Sequence, residues 1–286
     1  MEHCPICKKQ DFQTVLRTKD HFFSKEAFDI NLCKNCGFRF THPIPKENEI
    51  AKYYNSENYV SHDSSARGFI NRLYSLAQNF NFLLKYSAIK NYVPRGTWMD
   101  YGAGNGAFIS YLQSKSILTS GYEPSEYARD NSLVDLKDIS QYKTDTNQYA
   151  CITMWHVLEH IHKLEDLIQE HHKHLDEQGV LVIAVPNIDS YDSKFYKSYW
   201  AALDTPRHLW HFTERDLKSL LTGQGFEHLA TKGMPLDSYY VSLLSEKYKN
   251  GYSLRAPFVG FYSNLLARLK RFPFSSQIYI FRKIQS

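Results

Sequence analysis

At 286 residues with a formal net charge of +4, the chain is long enough for one large α/β domain and a small appendage, and its basic residues form no run that would track a phosphate backbone. No apolar run approaches the roughly 20 residues needed to cross a bilayer, and the N-terminus Met1-Glu2-His3-Cys4-Pro5 lacks the charged-then-apolar design of a secretion signal. A soluble cytoplasmic protein with no membrane partner is expected.

Four of the five cysteines stand in Cys4-Pro-Ile-Cys7 and Cys33-Lys-Asn-Cys36-Gly37, two knuckles with 25 residues between them. Two such turns can bring four thiolates to one tetrahedral zinc, and the glycine after the second pair suits a tight turn. The separation exceeds the common span of roughly 15–20 residues, an excess that a ribbon's middle loop absorbs. Reduced thiols are expected in this compartment, and neither pair opens a helix in a βαβ unit as a redox pair does. With all four ligands closing the site, the zinc is read as structural. His3, His21 and His42 stand nearby and are not expected as ligands. Residues 1–46 therefore read as a four-cysteine zinc-ribbon-like module.

Phe38 to Pro45 looks like a strand leaving the ribbon and ending at prolines, and Tyr53, Tyr54 and Tyr59 follow in a polar stretch. From Phe69 to about Tyr92, Leu73, Leu76, Phe80, Leu83 and Ile89 recur at helical spacing. Residues 47–95 thus read as a linker and a helix, either a cap over the fold's ligand side or a joint between domains.

Trp98-Met-Asp-Tyr-Gly-Ala-Gly-Asn-Gly-Ala-Phe-Ile109 reads as strand, glycine turn and helix start. Gly102, Gly104 and Gly106 let the backbone turn sharply and a ligand approach without meeting side chains. The turn also satisfies the dinucleotide fingerprint, but Asp100 would set a carboxylate beside a pyrophosphate. S-adenosylmethionine carries an ammonium and a sulfonium and gains from that carboxylate. In Gly121-Tyr-Glu123-Pro-Ser125, Glu123 ends a second strand, where an acid can accept hydrogen bonds from both ribose hydroxyls. Leu133 to Ile139 contains a short third strand, with Asp135 and Asp138 both open as the acid that reaches the adenine amine. Tyr149 to Met154 is a buried fourth strand, and Cys151 on it is core. His156-Val-Leu-Glu159-His160 matches the inverted zinc-protease signature, which requires a helix; here the motif directly follows a strand. Glu159 and His160 read as helix-start residues that satisfy backbone groups or as catalytic groups. His162, His171, His172 and His174 are expected on a solvated helix face. Gly179 to Val185 is a strand buried on both faces and ends at Pro186-Asn187.

Asp100-Tyr-Gly-Ala-Gly-Asn-Gly106, Gly121-Tyr-Glu-Pro-Ser125, Trp155-His-Val-Leu-Glu-His160 and Val185-Pro-Asn187, in this order and spacing, resemble a class I S-adenosylmethionine-dependent methyltransferase over residues 65–286. The resemblance implies a doubly wound, mostly parallel seven-stranded Rossmann-like sheet over residues 96–286, with an insertion at 233–275. It implies cofactor contacts at Asp100, Tyr101, Gly102, Ala103, Gly104, Glu123, Trp155 and His156. Similar proteins carry an acid where Ala150 stands, a departure that touches no expected cofactor contact.

Open α/β sheets bind ligands beyond the carboxyl ends of their strands, so the segment after Asn187 should hang over the cofactor. Tyr191 to Phe212 is dense in Tyr, Trp, His and charge, and similar methyltransferases carry a Trp, then Asp-x-Pro-Arg-His, then His-Phe-Thr here. His208 has the intrinsic pKa of a base, Asp204 could orient it, and Arg207 could hold an acidic or phosphorylated acceptor; the competing reading is an Asp204–Arg207 pair bracing the loop. Thr213 and Asp216 open a helix with a capping box, Phe226 to Thr231 is a sixth strand, and Gln277 to Phe281 returns beside it. Between them lie two amphipathic pieces, and Arg268, Lys270 and Arg271 read as a solvated face. The whole reads as a methyltransferase with S-adenosylmethionine as cofactor, structural zinc and a small-molecule acceptor, and the resemblance leans toward a sugar or nucleotide-sugar. An RNA methyltransferase docking through the ribbon and a non-catalytic zinc-ribbon adaptor are the alternatives.

Overall fold

Apolar runs separated by turn residues fold here into two sheets that share one core. The computed structural model describes residues 3–54 and 68–284, with residues 68–77 described by their backbone alone. In chain order the elements are β1 (Phe12–Lys19), β2 (Ala27–Cys33), β3 (Arg39–His42), α1 (Gly68–Ile89), β4 (Trp98–Tyr101), α2 (Ala107–Gln113), β5 (Thr119–Glu123), α3 (Glu126–Asp130), β6 (Lys137–Asp138) and β7 (Tyr149–Trp155). They continue with α4 (Leu164–His174), β8 (Leu175–Pro186), α5 (Tyr191–Tyr196), β9 (Trp210–His211), α6 (Glu214–Thr222), β10 (Phe226–Gly233), α7 (Asp237–Tyr248), α8 (Ala256–Arg268) and β11 (Ser276–Lys283). Among the described residues no helix is long and apolar enough to cross a membrane.

The larger sheet has the order β10-β11-β8-β7-β4-β5-β6. Its pairings from β6 through β8 are parallel, and β11 runs antiparallel to β8 and β10. This is the expected doubly wound, mostly parallel sheet. All four residues of β4 are buried, as is β8 from Gly179 to Pro186, which matches strands covered by helices on both faces. Because the central strands are parallel, their carboxyl ends line one edge, and Asp100, Glu123 and Trp155 all reach it. The stretch between β10 and β11 forms the α7–α8 pair. The capping box at Thr213 and Asp216 is formed.

Two helical readings are corrected. In α1, Phe80 and Leu83 are exposed, whereas Phe82 and Ile89 are buried and Phe82 packs on Phe108 and Tyr111; the buried stripe is rotated from the one expected. Tyr59 and the side chains of Leu73 and Leu76 lie outside the described residues. On α4, His171 and His174 are buried and not solvated. The Tyr142 hydroxyl meets Nδ1 of His171 at 2.7 Å, and Nε2 of His174 donates to the Tyr142 carbonyl at 3.1 Å. Hydrogen bonding to Tyr142 allows both rings to face the sheet.

The smaller sheet, ordered β1-β2-β3-β9, joins distant parts of the chain. Arg39 pairs with His211 and Phe40 with Trp210, so the cysteine-bearing module is hydrogen-bonded to the segment expected over the cofactor. Phe38 packs on Trp210 and Phe212, and Cys4, Cys33, Phe38 and Phe40 belong to the same hydrophobic core as Met99, Ile152 and Leu181. The turn after β1 adds a charged fastening. Asp20 is fully buried, accepts the backbone N–H groups of Phe22, Phe23 and Ser24, and faces both terminal nitrogens of Arg207 at 3.3 and 3.5 Å.

Asp20→Asn removes one carboxylate from beside a buried guanidinium, and is expected to lower unfolding free energy by roughly 3 kcal/mol in urea titration. A change below about 0.5 kcal/mol, the scale of surface substitutions, would contradict this fastening.

Candidate active site

The glycine turn after β4 is built as its sequence requires. Gly102, Gly104 and Gly106 all have positive φ. A Cβ at Gly102 would strike Val157, whereas one at Gly104 would meet nothing within 4 Å, so Gly104 faces open space. The turn is pinned to β5 by the Gly102 and Ala103 N–H groups, both donating to the Tyr122 carbonyl. Glu123 accepts the Gly104 N–H at 2.8 Å and the Ser125 N–H at 3.0 Å. Burial raises its pKa despite these bonds.

Asp100 lies beneath the turn, 4% exposed, and accepts from the Thr153 hydroxyl at 2.6 Å. Burial pushes its carboxyl up to about 7, against the Thr153 hydrogen bond and the Lys85 ammonium. The Lys85 ammonium also lies 4.4 Å from the centre of the Trp155 ring. The Trp155 indole N–H is buried and among the described residues lacks an acceptor. An open glycine face, a buried acid and an unpartnered N–H at one sheet edge fit a cationic, hydrogen-bonding ligand. The Tyr101 ring packs edge-on against Tyr142 and His171 in the core, which leaves its backbone at the edge.

Beyond β7 the chain turns at His156, whose φ is +57°, and Leu158–His160 form a short 3-10 turn. The His156, Glu159 and His160 motif is therefore not on an α-helix, and the inverted-protease arrangement is not formed. His156 faces Asp237 at 3.0 Å and Glu159 at 3.3 Å. Burial disfavours its charge, yet these two carboxylates hold its pKa up at about 10. Asp237, at the start of α7, was missed in the sequence because it lies 81 residues away.

The segment after β8 folds back over this edge. Asp192 organises it, accepting from the Trp200 indole and from the Ser263 and Ser275 hydroxyls. Asp204 and Arg207 are bonded through Nε at 3.0 Å and a terminal nitrogen at 2.6 Å. Arg207 is 2% exposed and also donates to the Tyr53 carbonyl and Asp20, so its donors are engaged within the protein and the expected anion-holding role finds no free group. His208 Nδ1 donates to the Ala202 carbonyl at 2.9 Å, and its Nε2 lies 3.9 Å from both Glu159 and Asp204. Thr41 of β3 donates to the His208 carbonyl at 2.7 Å and meets Nε2 of His211 at 3.0 Å. Asp138, not Asp135, stands at the end of β6 opposite Glu123, where it caps Ser140 and pairs with Arg129.

The cysteines of the first module converge. The Cys4–Cys36 and Cys7–Cys33 sulfurs are 3.6 and 3.5 Å apart, too far for a disulfide and close to the separation of about 3.8 Å set by Zn–S bonds of about 2.3 Å in a tetrahedron. All four are free thiols, and their donor atoms lie within 4.8 Å of one another.

The His156 charge gives a pH signature. Its folded pKa of about 10 exceeds the ordinary value of about 6.5, so the stabilisation is full below about pH 6.5 and is lost as pH rises through about 10. Asp237→Asn is expected to lower the melting midpoint at neutral pH and to do so less above about pH 10; equal losses at both would contradict the pair.

A family model described as a methyltransferase domain matches residues 69–231, more than half of the chain. No curated protein sequence matches. Among solved structures, the chain is similar to the 1,6-didemethyltoxoflavin-N1-methyltransferase of Burkholderia thailandensis, at 13% identity and TM-score 0.52 over 94% of this chain and 100% of that one. It is also similar to a candidate sarcosine dimethylglycine methyltransferase of Galdieria sulphuraria, at 15% identity and TM-score 0.50 over 74% and 88%. The [4+2]-cyclase SpnF shares the fold at 15% identity and TM-score 0.50 over 73% and 81%. Together with the family match, the glycine turn between Asp100 and Glu123 and the single reversed strand of the sheet place this chain in the family of class I S-adenosylmethionine-dependent methyltransferases.

Proposed function

We propose that the chain methylates a small-molecule acceptor held between the carboxyl edge of the large sheet and the 191–212 segment. The observation that carries this reading is the pairing of Asp100 and Glu123 around a glycine turn whose Gly104 face is open. S-adenosylmethionine, when bound, supplies a methyl group activated by a sulfonium. Asp100 offers that ligand's cationic end a carboxylate in a low-dielectric site, where one charge counts for more than in water. Glu123 offers two acceptor oxygens to a diol, exchanging its bonds to Gly104 and Ser125. Gly102, Ala103 and Gly104 supply backbone, and Trp155 and His156 border the site.

On the acceptor side, His208 presents the lone pair of Nε2, because its Nδ1–H is held by the Ala202 carbonyl. This nitrogen can take the acceptor's proton, and the Asp204 and Glu159 carboxylates lie 3.9 Å from it. Arg207 holds Asp204 in place. The four cysteines hold a structural zinc that fixes the β1–β3 module, and residues 1–46 act with the transferase domain as one wall of the site. A sugar or nucleotide-sugar acceptor is favoured by the joint presence of the cysteine knuckles and the Trp200, Asp204-x-Pro206-Arg207-His208 series.

Isothermal titration with S-adenosylhomocysteine tests the cofactor edge. Ionisation of Asp100 near pH 7 predicts that affinity rises as pH passes through about 7 and then levels. Asp100→Asn should flatten that dependence and weaken binding at least about tenfold, the scale of one charge-assisted hydrogen bond. Wild-type affinity in the variant would contradict the assignment. His208→Asn should leave this binding intact and slow transfer to sugar nucleotides, the first acceptors to screen; equal loss of binding would remove His208 from the acceptor side.

A further inference from the structure

Glu159 carries a buried charge that its pairing with His156 only partly compensates. It is fully buried, and among the described residues neither carboxylate oxygen accepts a hydrogen bond. His156 Nδ1 stands 3.3 Å from Oε1 while its Nε2 serves Asp237, so one imidazolium is shared by two carboxylates and Oε2 is left without a donor among the described residues. An anion so sparsely satisfied in such a place is costly unless a further cation completes its surroundings.

Two histidines from different segments border that carboxylate. His160 follows Glu159 directly, and His208 comes from the 191–212 segment; their rings lie 4.7 Å apart, edge to face. Each Nδ1 is held by a main-chain carbonyl at 2.9 Å, Arg207 for His160 and Ala202 for His208, and the Tyr54 hydroxyl also meets Nδ1 of His160 at 3.0 Å. A carbonyl only accepts, so each Nδ1 carries the proton and each Nε2 keeps its lone pair. Metal-binding histidines are oriented in this way, with the second ring nitrogen donating to a carbonyl or carboxylate. Glu159, His160 and His208 each bring one donor atom within 4.8 Å of the others, and Nε2 of His208 is 3.9 Å from Glu159 Oε1. Donor separations around a tetrahedral ion with bonds of about 2.0–2.1 Å are about 3.3 Å, so modest side-chain closure would complete the shell.

We propose that Glu159, His160 and His208 bind one divalent first-row transition cation, separate from the four-cysteine site. Two imidazoles and one carboxylate suit such an ion and leave coordination positions open. A hydroxyl or carbonyl oxygen of the acceptor is the ligand chemistry those positions would take, a role that rests on the transferase reading, whereas the ion site stands on its own side chains. The ion would lower the pKa of a ligated acceptor hydroxyl so that its proton passes to solvent water before the methyl group is transferred to the oxygen; this replaces direct proton uptake by His208, whose Nε2 cannot ligate and accept a proton at once.

The full chain, stripped with a chelator and given one equivalent of Zn2+ for the cysteines, is titrated with Co2+ and followed by visible absorption and metal content. One further Co2+ per chain is expected, with ligand-field bands and no thiolate-to-cobalt charge transfer. Glu159→Gln and His208→Asn should each weaken this binding at least about tenfold, as losing a ligand exceeds the effect of losing a ligand's support. No Co2+ beyond the zinc equivalent, or wild-type Co2+ affinity in both variants, would overturn the site. S-adenosylhomocysteine binding on the same samples reports whether the fold and cofactor edge are intact, so failure of the transferase reading is read separately from failure of the ion site.

Discussion

The buried guanidinium of Arg207 fastens the two ends of this molecule's architecture together. It lies between Asp204, three residues before it, and Asp20, from the turn after β1. Desolvating three charges is expensive, and such a cluster is weak as a source of net stability. Its effect is on specificity: a displaced 200–212 segment would strand a carboxylate or a guanidinium away from water. The β3–β9 pairing and Thr41's bond to the His208 carbonyl act in the same place and direction. The cysteine-bearing module is thus joined to the 204–211 segment by backbone, side-chain and ionic contacts at once.

That joint separates two electrostatic regions. At the sheet edge, Asp100 and Glu123 are acids whose burial raises their pKa values, which suits partners that bring positive charge. Beyond β7, charge is balanced within the protein: His156 between Asp237 and Glu159, Arg207 between Asp20 and Asp204. Glu159 remains the least compensated member of that second region, and His160 and His208 are its neighbours. A ligand spanning both regions meets a cation-seeking edge on one side and a ring-lined carboxylate on the other.

What was legible in the sequence was local. The cysteine knuckles, the glycine turn, Asp100, Glu123 and the Thr213–Asp216 cap each lie within a few residues, and short-range geometry leaves little choice about their form. The sheet followed because buried apolar runs and turn residues alternate through the domain. What was missed depends on distant partners. β9 is two residues long and has no periodicity, so its pairing with β3 could not be seen. Asp20 reads as an ordinary turn acid until Arg207 arrives from 187 residues away. His171 and His174 look solvated until Tyr142 offers them bonds, and the rotated stripe of α1 follows from Phe82 meeting Phe108.

If a metal held by the four cysteines fixes the first module, its removal should also loosen the segment from Thr205 to Phe212 that pairs with β3. Hydrogen exchange on the full chain, with the cysteine metal present and then removed by a chelator, tests this directly. Amide protection is expected to fall across Thr205 to Phe212 together with β1–β3, while β4 and β5 keep theirs. Unchanged protection over Thr205 to Phe212 after the metal has left and β1–β3 have loosened would contradict it.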